Sequence, residues 1–138
     1  MAKYIVTGNN VSIAGTDVSA SVARAELTIS STEVDVTDFA SGGFTEVVGG
    51  LKSGSLALDF HQDFGASGLA SVLNESTVGT LVEIIVIGGN GAVASESTPS
   101  FTGQFLVNSV SPVSGAVGDL STYSITFPLS GAIVKAIA

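Results

Sequence analysis

The side chains able to do chemistry are few and scattered along the 138-residue chain. His61 is the single histidine, and cysteine is absent. Asp59 lies two residues before His61, but nucleophilic catalysis needs a base held against a nucleophile and oriented by a third group. No such set is present, so His61 reads as a solvated or interface histidine. Asp35, Asp38, Asp59 and Asp63 could be combined into an acid pair or a calcium site. They lack the dense oxygen-ligand spacing of a calcium loop and read as strand-face and capping carboxylates. Gly88-Gly89-Asn90-Gly91 has the glycines of a phosphate loop without a following Lys-Ser/Thr or a GxGxxG spacing, and reads as a turn. With no catalytic, metal or cofactor constellation, the residues point to a non-enzymatic protein that works by binding or assembly.

The elements that would carry these residues are mostly strands. Apolar residues alternate with polar ones at Val34 and Val36, at Leu56, Leu58 and Phe60, at Phe101, Phe105 and Val107, and from Tyr123 through Ile125 and Phe127 to Leu129. Period-two alternation marks a strand with one face on a core and the other on something polar. Residues 81–87 are apolar on both parities except at Glu83, which predicts a strand covered on both sides. Between 18 and 30 the apolar phase flips near Ala23 and Arg24, as a bulge or a strand changing sheets would require. Asp63 as a cap, followed by Ala66, Leu69, Ala70, Val72 and Leu73 at helical spacing, predicts one short helix over 63–73. Glycine-rich loops are expected at 38–50, 88–99 and 112–119.

Composition narrows the class. Hydrophobic residues make up 45% of the chain and charged residues only 12%, against about 25% in ordinary soluble domains. Such a surface suits a chain that covers itself with copies of itself. Twelve acidic residues against four basic ones leave a formal charge of −8, with no basic stripe to grip nucleic acid. No secretory signal or apolar span is apparent, so a single soluble domain over 1–138, made in a cytoplasm and without a membrane anchor, is expected.

The centre of the chain has a recognisable order of features. Glu33-Val-Asp-Val-Thr-Asp-Phe39 is followed by a glycine-rich stretch and then by Phe44-Thr-Glu-Val-Val-Gly-Gly-Leu-Lys-Ser-Gly-Ser-Leu-Ala-Leu-Asp-Phe60. This resembles the tail tube (major tail) proteins of long-tailed bacteriophages. In them an Asp/Glu-Val-Thr strand end leads through a loop to a Gly-Leu-Lys-Asp-Gly-like turn, which opens an alternating strand. Gly50, Leu51, Lys52, Ser53 and Gly54 match that turn, with Ser53 where an acid is common. A short helix, two further strands and a closing strand ending Leu129-Ser-Gly131 follow in the family's order, so the likeness covers about 16–131.

The resemblance implies an all-β fold with one short helix, two antiparallel sheets packed as a sandwich-like barrel. It implies hexameric rings stacked into a tube that conducts DNA without specific binding during ejection, no cofactor, and a place in the virion tail after assembly in the bacterial host cytoplasm. Tape measure and tail tip or terminator proteins would be the partners. Within that frame, Phe39, Phe44, Val47 and Val48 are expected on an inter-subunit loop, because they are too apolar to stand in water beside glycines. Glu33, Asp35 and Asp59 are expected to face the lumen, with Glu26 and Glu83 as further candidates, because an acidic wall repels phosphates. An Ig-like β-sandwich that binds or decorates, and the tube of a contractile secretion system, remain alternatives at this point.

Overall fold

A computed structural model describes residues 3–65, 68–91 and 93–137. Its strands are β1 (Asn10–Ile13), β2 (Thr16–Asp17), β3 (Val22–Asp35), β4 (Val47–His61), β5 (Leu81–Ile87), β6 (Ser100–Leu106) and β7 (Thr122–Ala136). All pair antiparallel, in the order β2-β1-β5-β6-β7-β4-β3. The expected pair of packed sheets is therefore met as one continuous seven-stranded sheet. The reason lies in β7, whose 15 residues serve two partners. Its first half, to Pro128, pairs with β4, and its second half, from Leu129, pairs with β6. The sheet curls, so that Ala25, Leu27 and Ile29 of β3 line a common groove with Val86 of β5 and Phe101 of β6.

Inside the curl lies one core. Leu56, Leu58 and Phe60 of β4 meet Tyr123, Ile125 and Phe127 of β7, together with Val11, Ile13, Ile84 and Phe105. The alternating residues of β4 and β7 are thus buried as their period predicts. The Phe60 ring lies tilted against Tyr123 and edge-on to Phe127, at centroid distances of 5.3 and 6.4 Å, within the range where aromatic pairs attract. β5 is covered less evenly than expected: Ile84 and Ile87 are buried, whereas Leu81 and Glu83 are exposed. The phase flip near Ala23 is a register shift between Val22 and Arg24 opposite Phe60 and Asp59. The short hairpin β1–β2 was not legible as strands. Its signal is the alternation of Val11 and Ile13 before an Ala14-Gly15 turn, both residues of which have positive φ (52° and 84°), as two-residue hairpins require.

Four expectations are corrected. No α-helix forms at 63–73 among the described residues: a 3-10 turn, Leu69–Ser71, takes its place, and Ala66 lies outside the described residues. Gly65 and Gly68 disfavour a helix, and Asp63 caps a tight turn by accepting from the Gly65 amide at 2.8 Å. Leu69 and Leu73 are nevertheless fully buried and plug the core. The Gly50–Gly54 stretch is not a turn but the middle of β4. There Ser31 faces Lys52 and Glu33 faces Gly49, so β4 carries one residue more than β3 across the step. A β-bulge absorbs that residue, and glycine suits it because a Cβ at Gly50 would meet the Thr32 hydroxyl. Accordingly the loop expected over 38–50 is shorter, since β4 begins at Val47. Finally, β7 does not close at Gly131 but runs through it to Ala136. Among the described residues no helix is long and apolar enough to cross a membrane.

Candidate functional site

The feature with most bearing on function is the hairpin β3–β4. β4 is hydrogen-bonded to β7 only over Ser55–His61, whereas its ladder with β3 continues to Asp35 and Val47. Beyond Gly54 the two strands therefore have only each other and leave the sheet as a ribbon. From Ser53 to Val47 that ribbon reaches roughly 20 Å, at about 3.4 Å per residue.

Its tip, residues 36–46, is built by local capping. Asp38 accepts from the Ala40 amide at 2.9 Å, and its own amide donates to Ser41 Oγ at 3.0 Å, closing a capping box on the 3-10 turn Phe39–Ser41. Gly42 and Gly43, with φ of 66° and 85°, reverse the chain. The Thr37 hydroxyl accepts from the Glu46 amide at 2.8 Å and ties the two sides of the tip together. Hydrogen bonding from Thr37, its side chain first and then its amide, holds the Asp35 carboxyl below the ordinary carboxylate range. Asp38 and Glu46 make the tip acidic, with Asp35 at the end of β3 just before it and no basic residue among 35–46.

This ordered tip presents apolar side chains to solvent. Phe39 and Phe44 are 110% and 78% exposed, Leu51 is 84% exposed, and Val34, Val36, Val47 and Val48 are each about half exposed. The four residues expected on an inter-subunit loop therefore all lie at the end of this arm, Phe39 and Phe44 in the tip and Val47 and Val48 at the start of β4. None folds back on the chain's own core. The sequence reading missed Leu51, which falls within the bulge.

The acidic candidates separate. Arg24 faces Asp59 and Glu26 faces Ala57, and both pairs stand on the face of β3–β4–β7 that points away from the core. That face is completed by Thr28, Ser30, Ser53, Ser55, Ser124 and Thr126, so it is broad, small and polar. Arg24 and Glu26 form an exposed ion pair on it. Glu33 and Asp35 follow Ile29 and Ser31 in strand alternation, so they belong to the opposite parity of β3 and to the arm. Glu83 is exposed on β5. Asp59 and Glu26 thus share a face, and Glu33 and Asp35 share the other.

Other candidates settle into structural roles. His61 closes β4 opposite Thr122, and its Nδ1 is shielded with no hydrogen-bond partner among the described residues. Asn90, with φ of 65°, fastens the N-terminal segment: its Oδ1 accepts from the Thr7 and Gly8 amides at 2.8 and 2.9 Å, and its Nδ2 donates to the Ile5 carbonyl at 2.8 Å. Ala92 of the same glycine-rich loop lies outside the described residues. Among the described residues no three His, Asp or Glu side chains gather as metal ligands.

The hairpin is thus a long arm with an apolar tip on a curled antiparallel sheet. No curated protein sequence matches the chain. A chain in the tail of an empty gene transfer agent particle, computed with helical refinement and C6 symmetry, is similar in fold: the TM-score is 0.65 at 18% identity, over 84% of this chain and 82% of that one. A chain in the virion of a native gene transfer agent particle gives 0.63 at 18% identity, over 85% of each chain. The family model described as phage tail tube protein matches residues 11–135, which includes all seven strands but for the ends of β1 and β7. On that match the chain belongs to the phage tail tube protein family.

Proposed function

We propose that this protein is a non-enzymatic structural subunit that closes into hexameric rings, and that the rings stack into the tube of a phage tail. One observation carries the reading: the β3–β4 arm ends in solvent-exposed Phe39 and Phe44, held there by a capped and ordered tip. An isolated two-stranded ribbon is marginal in water, and large apolar side chains at its tip favour a partner surface. The partner is another subunit, and Phe39, Phe44, Val47 and Val48 are the contact. Six-fold closure is carried over from the C6 symmetry of the tail that holds one structural relative. In the ring the curled sheets pack as the layers of a barrel, which hides the long free edge of β3.

The polar face of β3–β4–β7 lines the bore, with Asp59 and Glu26 on it, whereas Glu33 and Asp35 stand on the opposite face, along the arm. Negative charge on this wall repels phosphates over a Debye length, roughly 8 Å at physiological salt, so DNA passes without being held. Residues 1–138 act as one domain without a cofactor, assembled in the host cytoplasm and carried in the virion tail. A tape measure protein inside the tube and tip or terminator proteins at its ends complete the set of partners.

Negative-stain microscopy with size-exclusion chromatography tests this. Wild-type protein at high concentration forms rings or tubes, and the double variant Phe44→Ser, Val47→Ser stays a folded monomer. A wild type that is monomeric under all conditions, or a double variant that still makes normal tubes, would remove the proposal.

A further inference from the structure

Where the sheet divides, it leaves an open cleft. β4 and β7 pair as far as Ser55 and Pro128 and then part, β4 following β3 into the arm and β7 following β6. Between them is a groove of about 560 Å³ lined by Ile29, Lys52, Ser53, Leu129, Ala132 and Ile133 along with Gly131. The parting is built into β7. Thr102 faces Val134 and Gln104 faces Ser130, so residues 131–133 stand opposite Gly103 alone. This bulge, with Gly131 at a φ of 93°, bends β7 away from β4. Leu129 and Ile133 fold over Gly103, where a Cβ would come within 2.9 and 2.8 Å of them. Both walls of the cleft are strand edges without a ladder partner past the point of division.

We propose that this cleft is the seat for the tip, residues 36–46, of a second copy of this chain. The inference rests on the assembly reading above and names the surface that receives the arm. Three observations select the occupant. The cleft is apolar, and the tip offers Phe39 and Phe44 to solvent. Lys52 is the one charged residue lining the cleft, and the tip carries Asp38 and Glu46, with Asp35 just before it and no basic residue among 35–46. A tip cannot reach the cleft of its own chain, because Lys52 and Ser53 lie at the root of the same ribbon, roughly 20 Å from where β4 begins. Tip and cleft are different surfaces, so the contact is heterologous and repeats from copy to copy instead of closing a pair.

The absence of cysteine makes the test direct. Phe44→Cys in one population and Ala132→Cys in another are mixed, assembled and oxidised, with microscopy run in parallel. A tip seated in the cleft gives a mixed-disulfide dimer from the two single variants and a covalent ladder from the double variant. Lys52→Glu lowers the yield several-fold, and Glu46→Lys in the partner restores it. Tubes without this cross-link would overturn the seat and leave the tube reading standing. Cross-links without tubes would keep the seat and count against the tube. Neither tubes nor cross-links would overturn both. Preferential linking of Phe44→Cys to Val117→Cys in the 109–121 loop, or of Ala132→Cys to Ile5→Cys, would give tip or cleft another occupant and sink the proposal.

Discussion

Tyr123 shows how a single side chain in this core responds to its surroundings. Its ring packs on Phe60, and its hydroxyl is buried without a hydrogen-bond partner among the described residues. Burial pushes its pKa up from 10.0 to about 12. Below pH 10 the hydroxyl is neutral in both folded and unfolded chains, and stability is at its full value. Between pH 10 and 12 the unfolded chain loses the proton first, so stability falls by up to about 2–3 kcal/mol. Tyr123→Phe removes an unpaired hydroxyl, so urea unfolding at pH 7 should find this variant as stable as wild type or more so, with the alkaline fall abolished. Equal alkaline loss in both proteins would contradict this. Asp17 titrates in the other direction, its carboxyl lowered first by the Ser19 side chain and then by the Ser19 amide. Its contribution is present above the ordinary carboxylate range and is lost as pH falls through the lowered value. Gly103 is set by space: a Cβ there would press on Ile133, Leu129 and Phe105. Gly103→Ala should cost about 1–3 kcal/mol in urea unfolding, and a neutral result would mean that the β7 bulge yields easily.

At the scale of elements, β4 has two lives. From Ser55 to His61 it is flanked by β3 and β7, and Leu56, Leu58 and Phe60 are buried. From Val47 to Gly54 it has one neighbour and a mostly exposed surface. Backbone hydrogen bonds with few buried contacts around them open at low free-energy cost. Amide exchange in the free subunit should therefore be much faster over 47–53 and 29–35 than over 55–61 and 123–127. In assembled tubes the arm amides should slow by orders of magnitude if the arm docks on a neighbour. Equal exchange in free and assembled protein would show that the arm stays in solvent.

On the scale of the whole molecule, charge is the controlling quantity. The net charge of the chain is −8, and on the face proposed to line the bore Asp59 and Glu26 outnumber Arg24. Exchanging both for lysine adds positive charge to that face, and each phosphate neutralised releases counterions. Tubes of the Glu26→Lys, Asp59→Lys variant should retain DNA in filter binding at low salt and lose it as salt rises, while wild-type tubes retain none. Equal retention by the two would mean that this face looks outward. The two ends of β4 also differ in kind. The arm tip carries Phe39 and Phe44, and the loop near His61 carries exposed Val113, Val117 and Leu120. A 15-residue strand sets these ends roughly 45–50 Å apart, a polarity suited to subunits that stack head to tail.

Much of this was readable from the residues alone. The buried faces of β4 and β7 follow from side chains that alternate with a period of two, a property of the strand itself. The irregularity near Ala23 was legible for the same reason, because an extra residue inverts the alternation. The order of features from Glu33 to Gly131 resembled the tail tube proteins, and the family match over 11–135 agrees with it. Tertiary structure decided what depends on partners distant in sequence. Leu69 and Leu73 are spaced for a helix, yet the glycines beside them and the cap by Asp63 leave a single turn, and only the core requires the two leucines. Gly50–Gly54 has the composition of a turn, but its pairing with β3 makes it strand. Glu33, Asp35 and Asp59 look alike in sequence, and register places the first two opposite in parity to the third. The change of partner at Pro128 and Leu129 leaves no mark in the alternation of β7, because the period-two order of side chains does not depend on which strand the backbone pairs with.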